Sequence, residues 1–256
     1  MKNRADPITF GTIQKCFVLK PANRDKMMEN QTAGTDSRQN TEIAALRRDL
    51  SFSYRLHVPQ HAGSEVLILL HGSAADETTL MPLAMAAAPR AKLVAVRGRI
   101  MQDGDLRWFR RITPTEFDQA SIRTEAHAFA HFIDELVARH SLEPAHIVFI
   151  GYSNGANLVT STMLLTPGVL RRAVLLRAMP VLHHVPDADL SGAHVLMITG
   201  ANDVTYAPFA PALAGLLRTH HANVDEHTVA SGHEFGALDG NIISGWLDRR
   251  RSVAAT

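Results

Sequence analysis

The sequence has a single cysteine, almost no net charge and no apolar run long enough to cross a bilayer. Cys16 has no second cysteine in this chain with which to form a disulfide. It lies far from the segments in which candidate catalytic residues are identified below, so a cysteine nucleophile is not expected. The 26 Lys and Arg residues nearly balance the 25 Asp and Glu residues. A formal charge of +1 provides no overall field that would favour binding to nucleic acid or to anionic lipid.

The N-terminal region also lacks the features of an export signal. Met1 to Lys20 contains neither a long apolar core nor a small-residue cleavage site, and we therefore expect a cytoplasmic protein without a membrane span. Pro21 to Asn40 is polar and nearly free of large aliphatic residues, so it cannot offset the entropy cost of ordering its backbone. These features predict a flexible polar leader over residues 1–45 and one globular domain over residues 46–256.

Short apolar runs divide the remaining chain at regular intervals. Their length and β-branched content are typical of buried parallel strands, and they lie at Val66–Leu70, Leu93–Val96, Ile147–Ile150, Ala173–Leu176 and Val195–Thr199. Ser51–Val58 alternates like an antiparallel edge strand, and Val224–Val229 can form a last strand.

Helical patterns lie between these runs. The clearest follows Asp118, where one apolar stripe is formed by Ile122, Ala126, Phe129, Ile133 and Val137. Further helical patterns follow Gly155, Tyr206 and Asp239. Repeated strand and helix units of this kind predict an α/β fold with a mostly parallel central sheet and helices on both faces.

The segment Gly151-Tyr152-Ser153-Asn154-Gly155 lies between an apolar strand and a helical pattern. A nucleophile elbow needs a sharp turn with a strained serine backbone, and glycine two positions to either side avoids the clashes that a Cβ would cause. The serine Oγ would then lie at a helix N-terminus, where the helix dipole favours a developing anion. This context predicts Ser153 as a nucleophile, although a plain glycine-rich turn has the same letters.

An acid and a base follow in suitable positions. Asp203 comes just after a glycine turn at the end of an apolar strand, and His233 lies in a loop between the last strand and the last helical pattern. The chain order Ser, Asp, His is that of α/β-hydrolases, which predicts Asp203 as the orienting carboxylate and His233 as the general base. Glu234 is an alternative acid, but it is too close to His233 in the chain to hold the imidazole easily.

An early strand runs directly into His71-Gly72, and the loop after such a strand can supply one backbone N–H to an oxyanion hole. We expect the two donors to be Ser73 and Asn154, the latter directly after the nucleophile. His71 is interpreted as a residue that orients this loop rather than as a second base. The alternative is that His71-Gly72 simply ends a strand.

Several segments together resemble the carboxylesterase and phospholipase-like branch of the α/β-hydrolases, which includes acyl-protein thioesterase-like proteins and bacterial hydroquinone-associated esterases. In chain order they are LLHGSAADE, DLRWFRRITPTEFD, GYSNGANLV, LLRAMPVL, ITGANDVTYAP and SGHEF, and the resemblance covers roughly residues 50–250. It implies an α/β-hydrolase fold and a carboxylesterase-type serine hydrolase (EC 3.1.1.-) that acts on a small-molecule ester. Relatives often dimerise, which leaves a homodimer open, although no residue here supports one.

The sequence departs from this family pattern at two places. Relatives tend to have a glycine pair where this chain has Ala74 and Ala75, so the oxyanion loop is expected to differ in shape. Relatives often have a proline after the arginine of the LLR segment, where this chain has Ala178, with Pro180 two residues later.

The segment around residue 108 is expected to border the substrate cleft. Trp108 and Phe109 are predicted to form one apolar wall, with Met179 and Leu182 opposite, and the alternative is that the aromatic pair packs in a lid or the core. Arg110 is predicted to contact substrate as part of a positive cluster with Arg107 and Arg111, which would favour anionic substrates. Alternatively the cluster is solvated or pairs with Glu116 and Asp118.

The chemistry implied by the three candidate residues requires no metal and no organic cofactor. The spacings of His, Cys and carboxylate residues resemble no usual metal cluster, and the adjacent pairs His183-His184 and His220-His221 are interpreted as solvated residues. Two alternatives to a small-ester hydrolase stay open: a thioesterase or lysophospholipase for longer acyl chains, and a non-catalytic ligand-binding protein on the same fold.

Overall fold

The computed structural model describes residues 44–254, with side chains described as far as residue 249. The predicted leader over residues 1–45 therefore lies almost entirely outside the described residues, as does Cys16. Within the described range, no helix has the length and apolar character needed to cross a membrane.

A seven-stranded sheet forms the centre of the described residues, and a two-stranded hairpin lies apart from it. In chain order the strands are β1 (Tyr54–His57), β2 (Val66–Leu70), β3 (Lys92–Val96), β4 (Ile100–Gln102), β5 (Asp105–Arg107), β6 (Ile147–Tyr152), β7 (Arg172–Leu176), β8 (His194–Gly200) and β9 (Asn223–Val229). The sheet order is β1-β3-β2-β6-β7-β8-β9. Within this sheet of the described residues, only the edge strand β1 pairs antiparallel, as its alternating sequence predicts.

Helices cover both faces of this sheet, which confirms the predicted fold class. They are α1 (Met81–Ala87), α2 (Gln119–His140), α3 (Asn154–Leu165), α4 (Ala210–Thr219) and α5 (Ala237–Ala254). Strand β2 shows why both faces must be covered, since Ile68 and Leu70 pack in a core with α2, α3 and α4. Its alternate residues Leu67 and Leu69 pack in a second core with α1 and α5.

Helix α2 follows the predicted apolar stripe. Ile122, Ala126, Phe129 and Ile133 are buried, and Val137 packs partly buried against the same core. The helix begins at the predicted point because the Asp118 carboxylate accepts a hydrogen bond from the Ser121 N–H at 3.0 Å.

Two elements, α1 and the β4–β5 hairpin, were not predicted from the sequence. The hairpin turns at Asp103 and Gly104, whose φ angles are +55° and +85°, and an Asp-Gly pair is the expected choice for a two-residue turn of this kind. Helix α1 spans only seven residues and has Pro82 in its first turn, where proline is well tolerated. The Asp-Gly turn and the proline of α1 are both visible in the sequence, but the elements that they mark are too short to show a clear apolar periodicity.

Parallel pairing places the carboxyl ends of β6, β8 and β9 at one edge of the sheet. Ser153, Asp203 and His233 each follow one of these strands, so the topology brings three positions 30 to 80 residues apart to one edge. Ligand sites of open parallel sheets form outside this edge.

Glu77 joins three segments near the same edge. Its side chain is fully buried, and it pairs with Arg55 of β1 at 2.7 Å and with Arg97 just after β3. Burial opposes ionisation, but the hydrogen bonds from Arg97 and Arg55 outweigh that effect and hold the pKa of Glu77 below its ordinary value. Glu77 thus fastens the segment that follows Ser73 to two strands.

Glu77→Gln should lower the free energy of unfolding by about 2 kcal/mol at pH 7, because it removes a buried carboxylate from two arginines. The depressed folded-state pKa means that the carboxylate contributes its stability above the unfolded-state pKa of about 4.3 and loses it as the pH falls through the folded-state pKa. Urea unfolding should therefore show that the difference in free energy of unfolding between the unmodified protein and Glu77→Gln becomes smaller as the pH is lowered. The exposed Glu116→Gln is the control and should change stability by less than about 0.5 kcal/mol; equal losses in both variants would contradict the assignment.

Candidate active site

Ser153 lies in a strained turn between β6 and α3. Its φ of +51° is in the left-handed region, which costs a non-glycine residue on the order of 1–3 kcal/mol. The Ser153 N–H donates to the Leu176 carbonyl at 2.8 Å, and the Ser153 carbonyl accepts from the Asn157 N–H at 2.9 Å. The neighbouring strand and the helix therefore hold the serine in this conformation.

The two glycines around Ser153 are required by close packing. A Cβ on Gly155 would overlap the carbonyl oxygens of Leu70 and His71, and one on Gly151 would overlap the backbone of Ala156. The turn is thus tight and strained, as a nucleophile elbow would require, and differs from an ordinary glycine-rich turn.

The structure brings Ser153, His233 and Asp203 into one chain of hydrogen bonds. His233 Nδ1 lies 2.6 Å from Asp203 Oδ2, and His233 Nε2 lies 2.9 Å from Ser153 Oγ. Because a carboxylate can only accept, Nδ1 carries the ring proton and Nε2 accepts from the serine hydroxyl. Glu234, the alternative acid, does not hold the imidazole.

Asp203 is only 5% exposed, and both of its oxygens are engaged. Oδ1 accepts from the Tyr206 N–H at 3.0 Å, while Oδ2 accepts from His233. The Tyr206 ring also lies 4.7 Å from the His233 ring, and the Tyr152 ring lies 5.4 Å from it. Burial raises the pKa of Tyr152 to about 12, so this phenol stays neutral and packs beside the imidazole without charge.

Arg177 fixes the loop that carries His233. Its guanidinium is fully buried, and Nη1 lies 2.7 Å from Asp239 Oδ1 at the start of α5. It donates to Ser231 Oγ at 2.9 Å, to the Gly232 carbonyl at 3.1 Å and to the Glu234 carbonyl at 2.7 Å. Arg177, directly after β7, therefore holds three residues of the short loop that contains His233. This role was not predicted from the sequence.

The predicted oxyanion residues Ser73 and Asn154 both line a cavity with Ser153. Asn154 is the first residue of α3, and its side-chain oxygen accepts from the Trp108 N–H at 2.8 Å. Its backbone N–H therefore lies at the positive end of the helix, next to the serine.

His71 orients the loop before Ser73, as its position suggests. Its Nε2 accepts from the Gly98 N–H at 2.9 Å, so Nδ1 carries the proton and donates to the Gly72 carbonyl at 2.7 Å. Burial holds the pKa of His71 below its ordinary value, which favours this neutral form.

The backbone conformation of Ala74 is one that glycine, the residue that relatives tend to have in this loop, adopts more easily. Its φ is +60°, a left-handed conformation that costs an alanine about 1–2 kcal/mol and a glycine almost nothing. The Ala74 N–H donates to the Leu106 carbonyl at 3.1 Å, which ties the loop to strand β5. The chain therefore keeps the conformation at some cost in backbone strain.

The cavity beside Ser153 is small, about 20 Å³ in volume. It is lined by Ser73, Arg111, Pro114, Phe117, Ser153, Asn154, Asn157, Arg177 and Tyr206. The predicted substrate contacts Trp108, Phe109, Arg110, Met179 and Leu182 are not among these residues, and the prediction for the aromatic pair needs correction.

Burial explains this correction. Trp108 is 0% exposed, its indole N–H donates to the His71 carbonyl at 2.8 Å, and its ring packs against Phe52 and Phe129. Phe109 is equally buried and meets the Phe117 ring edge-on at 5.3 Å. The aromatic pair thus packs in the core, the alternative that the sequence left open, and supports the cavity from behind.

The remaining three predicted contacts do not line this cavity either, and their contact with substrate stays a prediction. Met179 is buried, with its N–H bonded to the Asn157 side chain at 2.9 Å, and Leu182 packs partly buried against the larger core. Arg110 is exposed. Sequence spacing offered clues to two missed lining residues, since Asn157 is one helical turn after Asn154 and Tyr206 is three residues after Asp203.

Comparison with known proteins shows similarity to esterases and hydrolases in sequence and in fold. The model of the phospholipase/carboxylesterase family matches residues 54–234. A carboxylesterase from Mesorhizobium loti is 54% identical, with a TM-score of 0.79 over 81% of this chain and 99% of its own. A Bacillus cereus carboxylesterase is 30% identical, with a TM-score of 0.73 over 77% of this chain and 94% of its own. MhqD of Bacillus subtilis strain 168 is 31% identical over 148 residues, 57% of this chain and 74% of MhqD.

Arg177→Met should lower the free energy of unfolding by about 3–5 kcal/mol, because it leaves the buried Asp239 carboxylate without its cation. Urea unfolding measures the loss, and the exposed Arg171→Met provides a control that should cost less than about 0.5 kcal/mol. Adding Asp239→Leu to Arg177→Met should recover part of the loss, since no buried charge is then unpaired. Strictly additive losses would contradict the proposed coupling.

Proposed function

The chain belongs to the phospholipase/carboxylesterase family, and on that premise we propose that it hydrolyses carboxylic esters with Ser153 as nucleophile, His233 as general base and Asp203 as orienting carboxylate. The observation that carries this proposal is the continuous chain of hydrogen bonds, 2.9 Å from Ser153 Oγ to His233 and 2.6 Å from His233 to Asp203. These distances are within the range that proton transfer requires.

In the first step, His233 Nε2 takes the hydroxyl proton while Ser153 Oγ attacks the ester carbonyl carbon. Asp203 stabilises the imidazolium that forms. The carbonyl oxygen becomes an oxyanion, which the backbone N–H groups of Ser73 and Asn154 bind. Each such donor typically contributes a factor of about 10² to 10³ in rate.

The tetrahedral intermediate then collapses. The bond from carbon to the alkoxy oxygen breaks, His233 gives its proton to the departing alcohol, and the acyl group stays on Ser153. In the second half, His233 takes a proton from water as the water oxygen attacks the acyl carbon. The acid leaves when Ser153 Oγ recovers the proton, and no cofactor takes part.

The small cavity supports short acyl groups over long ones. The enclosed space beside Ser153, about 20 Å³, is too small to take up a long alkyl chain, which would have to lie on another surface or in a wider cleft. This observation favours a small-ester hydrolase over a thioesterase or lysophospholipase. The intact hydrogen-bond chain argues against a non-catalytic binding protein, and a cytoplasmic location and a homodimer stay predictions of the sequence.

A fluorophosphonate probe should form a covalent adduct on Ser153, because the serine is activated by His233. Peptide mapping by mass spectrometry identifies the modified residue. Ser153→Ala should abolish labelling and ester turnover, His233→Ala should abolish turnover, and the exposed Ser191→Ala should behave like the unmodified protein. An adduct on another residue, or turnover retained in either active-site variant, would disprove the assigned roles.

Chain-length preference distinguishes the small-ester hydrolase from its closest alternative. We expect kcat/KM for p-nitrophenyl acetate to exceed that for p-nitrophenyl decanoate by at least about tenfold, since the cavity cannot enclose the longer chain. Steady-state kinetics below the critical micelle concentration gives both values. A preference for decanoate would favour the thioesterase or lysophospholipase alternative.

A further inference from the structure

Two arginines line the cavity beside Ser153, but only one is free to bind a ligand. Each guanidinium nitrogen of Arg177 already donates to a partner within the protein, including Asp239 and the loop of His233. Arg111 differs, because its hydrogen bonds to the Gln102 side chain, each of 2.9 Å, are made by its backbone N–H and carbonyl and leave the guanidinium unused. Among the described residues, no carboxylate forms an ion pair with the Arg111 guanidinium.

The acidic residues that follow Arg111 in the chain do not neutralise it. The sequence left open that the arginine cluster pairs with Glu116 and Asp118. Asp118 instead caps α2 through the Ser121 N–H, and the Glu116 N–H and carbonyl bond Thr113 and Ile112 within their own turn. Neither carboxylate forms an ion pair with Arg111 in the part of the chain that the structure describes.

Arg107 adds a second positive charge near Arg111. The residue is 2% exposed, and its Nε and Nη1 have no hydrogen-bond partner among the described residues. Its one ion pair, with Asp105, is long at 3.3 Å, and the Asp105 side chain is 42% exposed, so solvent weakens the pairing. Burial first, and then the like charge of Arg111, hold the pKa of Arg107 below its ordinary value, although a guanidinium stays ionised.

These charges are poorly matched within the protein. A charge buried in a medium of low dielectric constant acts over a longer distance than one in water. The carboxylates whose charge acts on Arg107 are those of Asp105 and Asp103 in the hairpin. Asp203, the acid that is hydrogen-bonded to His233, also accepts from the Tyr206 N–H and has no bond to an arginine among the described residues. An anion from outside the chain is therefore the natural partner of Arg111.

We infer that the preferred ester carries a carboxylate group on a short arm, which Arg111 binds at the cavity while Arg107 strengthens the positive potential behind it. This inference rests on the proposed ester hydrolysis and specifies its substrate class. A guanidinium binds a carboxylate through two parallel N–H groups, which fixes orientation as well as position. The same contact would hold the ester carbonyl in reach of Ser153 Oγ.

Matched ester pairs test the inference. Monomethyl and dimethyl succinate place the carboxylate on the acyl side, and 4-acetoxybenzoate and its methyl ester place it on the alcohol side. In at least one pair, we expect kcat/KM for the anionic member to exceed that for the neutral member by about tenfold or more at low ionic strength. A ratio of one or less in both pairs overturns the inference.

Variants test the assignment to Arg111. Arg111→Gln should lower the preference for the anionic ester at least about tenfold, mainly through KM, and Arg111→Lys should restore part of it. Arg110→Gln removes the same charge from an exposed neighbour outside the cavity lining, and it should change the ratio by less than about twofold. A preference that survives Arg111→Gln, or falls equally with Arg110→Gln, overturns the assignment.

A measurement without turnover separates this inference from the proposed function. Succinate should slow fluorophosphonate labelling of Ser153 in the unmodified protein, and this protection should be lost in Arg111→Gln. If Ser153 is never labelled, the proposed function fails. If Ser153 is labelled but succinate does not protect it and the ester ratios stay near one, the proposed function stands and the anionic substrate class fails.

Discussion

The left-handed backbone of Ser153 is the constraint on which the rest of the candidate site depends. A residue with φ of +51° between a strand and a helix directs its side chain out of the sheet edge, and only close contact on both sides holds it there. The Leu176 carbonyl binds the Ser153 N–H, and Gly155 packs directly on the Leu70 carbonyl. The strain is thus stored in a turn that strands β2 and β7 prevent from relaxing.

The histidine is positioned by a different kind of interaction. Sterics hold the serine, whereas a buried ion pair holds the loop of His233, because Arg177 binds Asp239 and three groups of that loop together. Such a network is costly to desolvate and is stable only when every donor is satisfied. It therefore favours a single loop conformation, in which His233 Nε2 lies within 2.9 Å of Ser153 Oγ.

The aromatic core and the cavity wall are parts of one arrangement. Trp108 does not contact the cavity, yet its backbone N–H binds Asn154 and its indole N–H binds the His71 carbonyl. Trp108 thereby connects Asn154, directly after Ser153, to the loop that leads into Ser73. Arg111, three residues later, lines the cavity, so one segment supplies both buried rings behind the cavity and a charge beside it.

The sequence by itself determined the seven strands of the main sheet, the tight turn at Ser153 and the order of Ser153, Asp203 and His233, because strand periodicity and glycine spacing are local properties of the chain. Tertiary structure decided which residues line the cavity. Trp108 and Arg111 belong to the same polar and aromatic segment, and only packing against α2 and α3 buries the first and leaves the second at the cavity. Arg177 finds Asp239 62 residues later, and no local pattern encodes a contact across that distance.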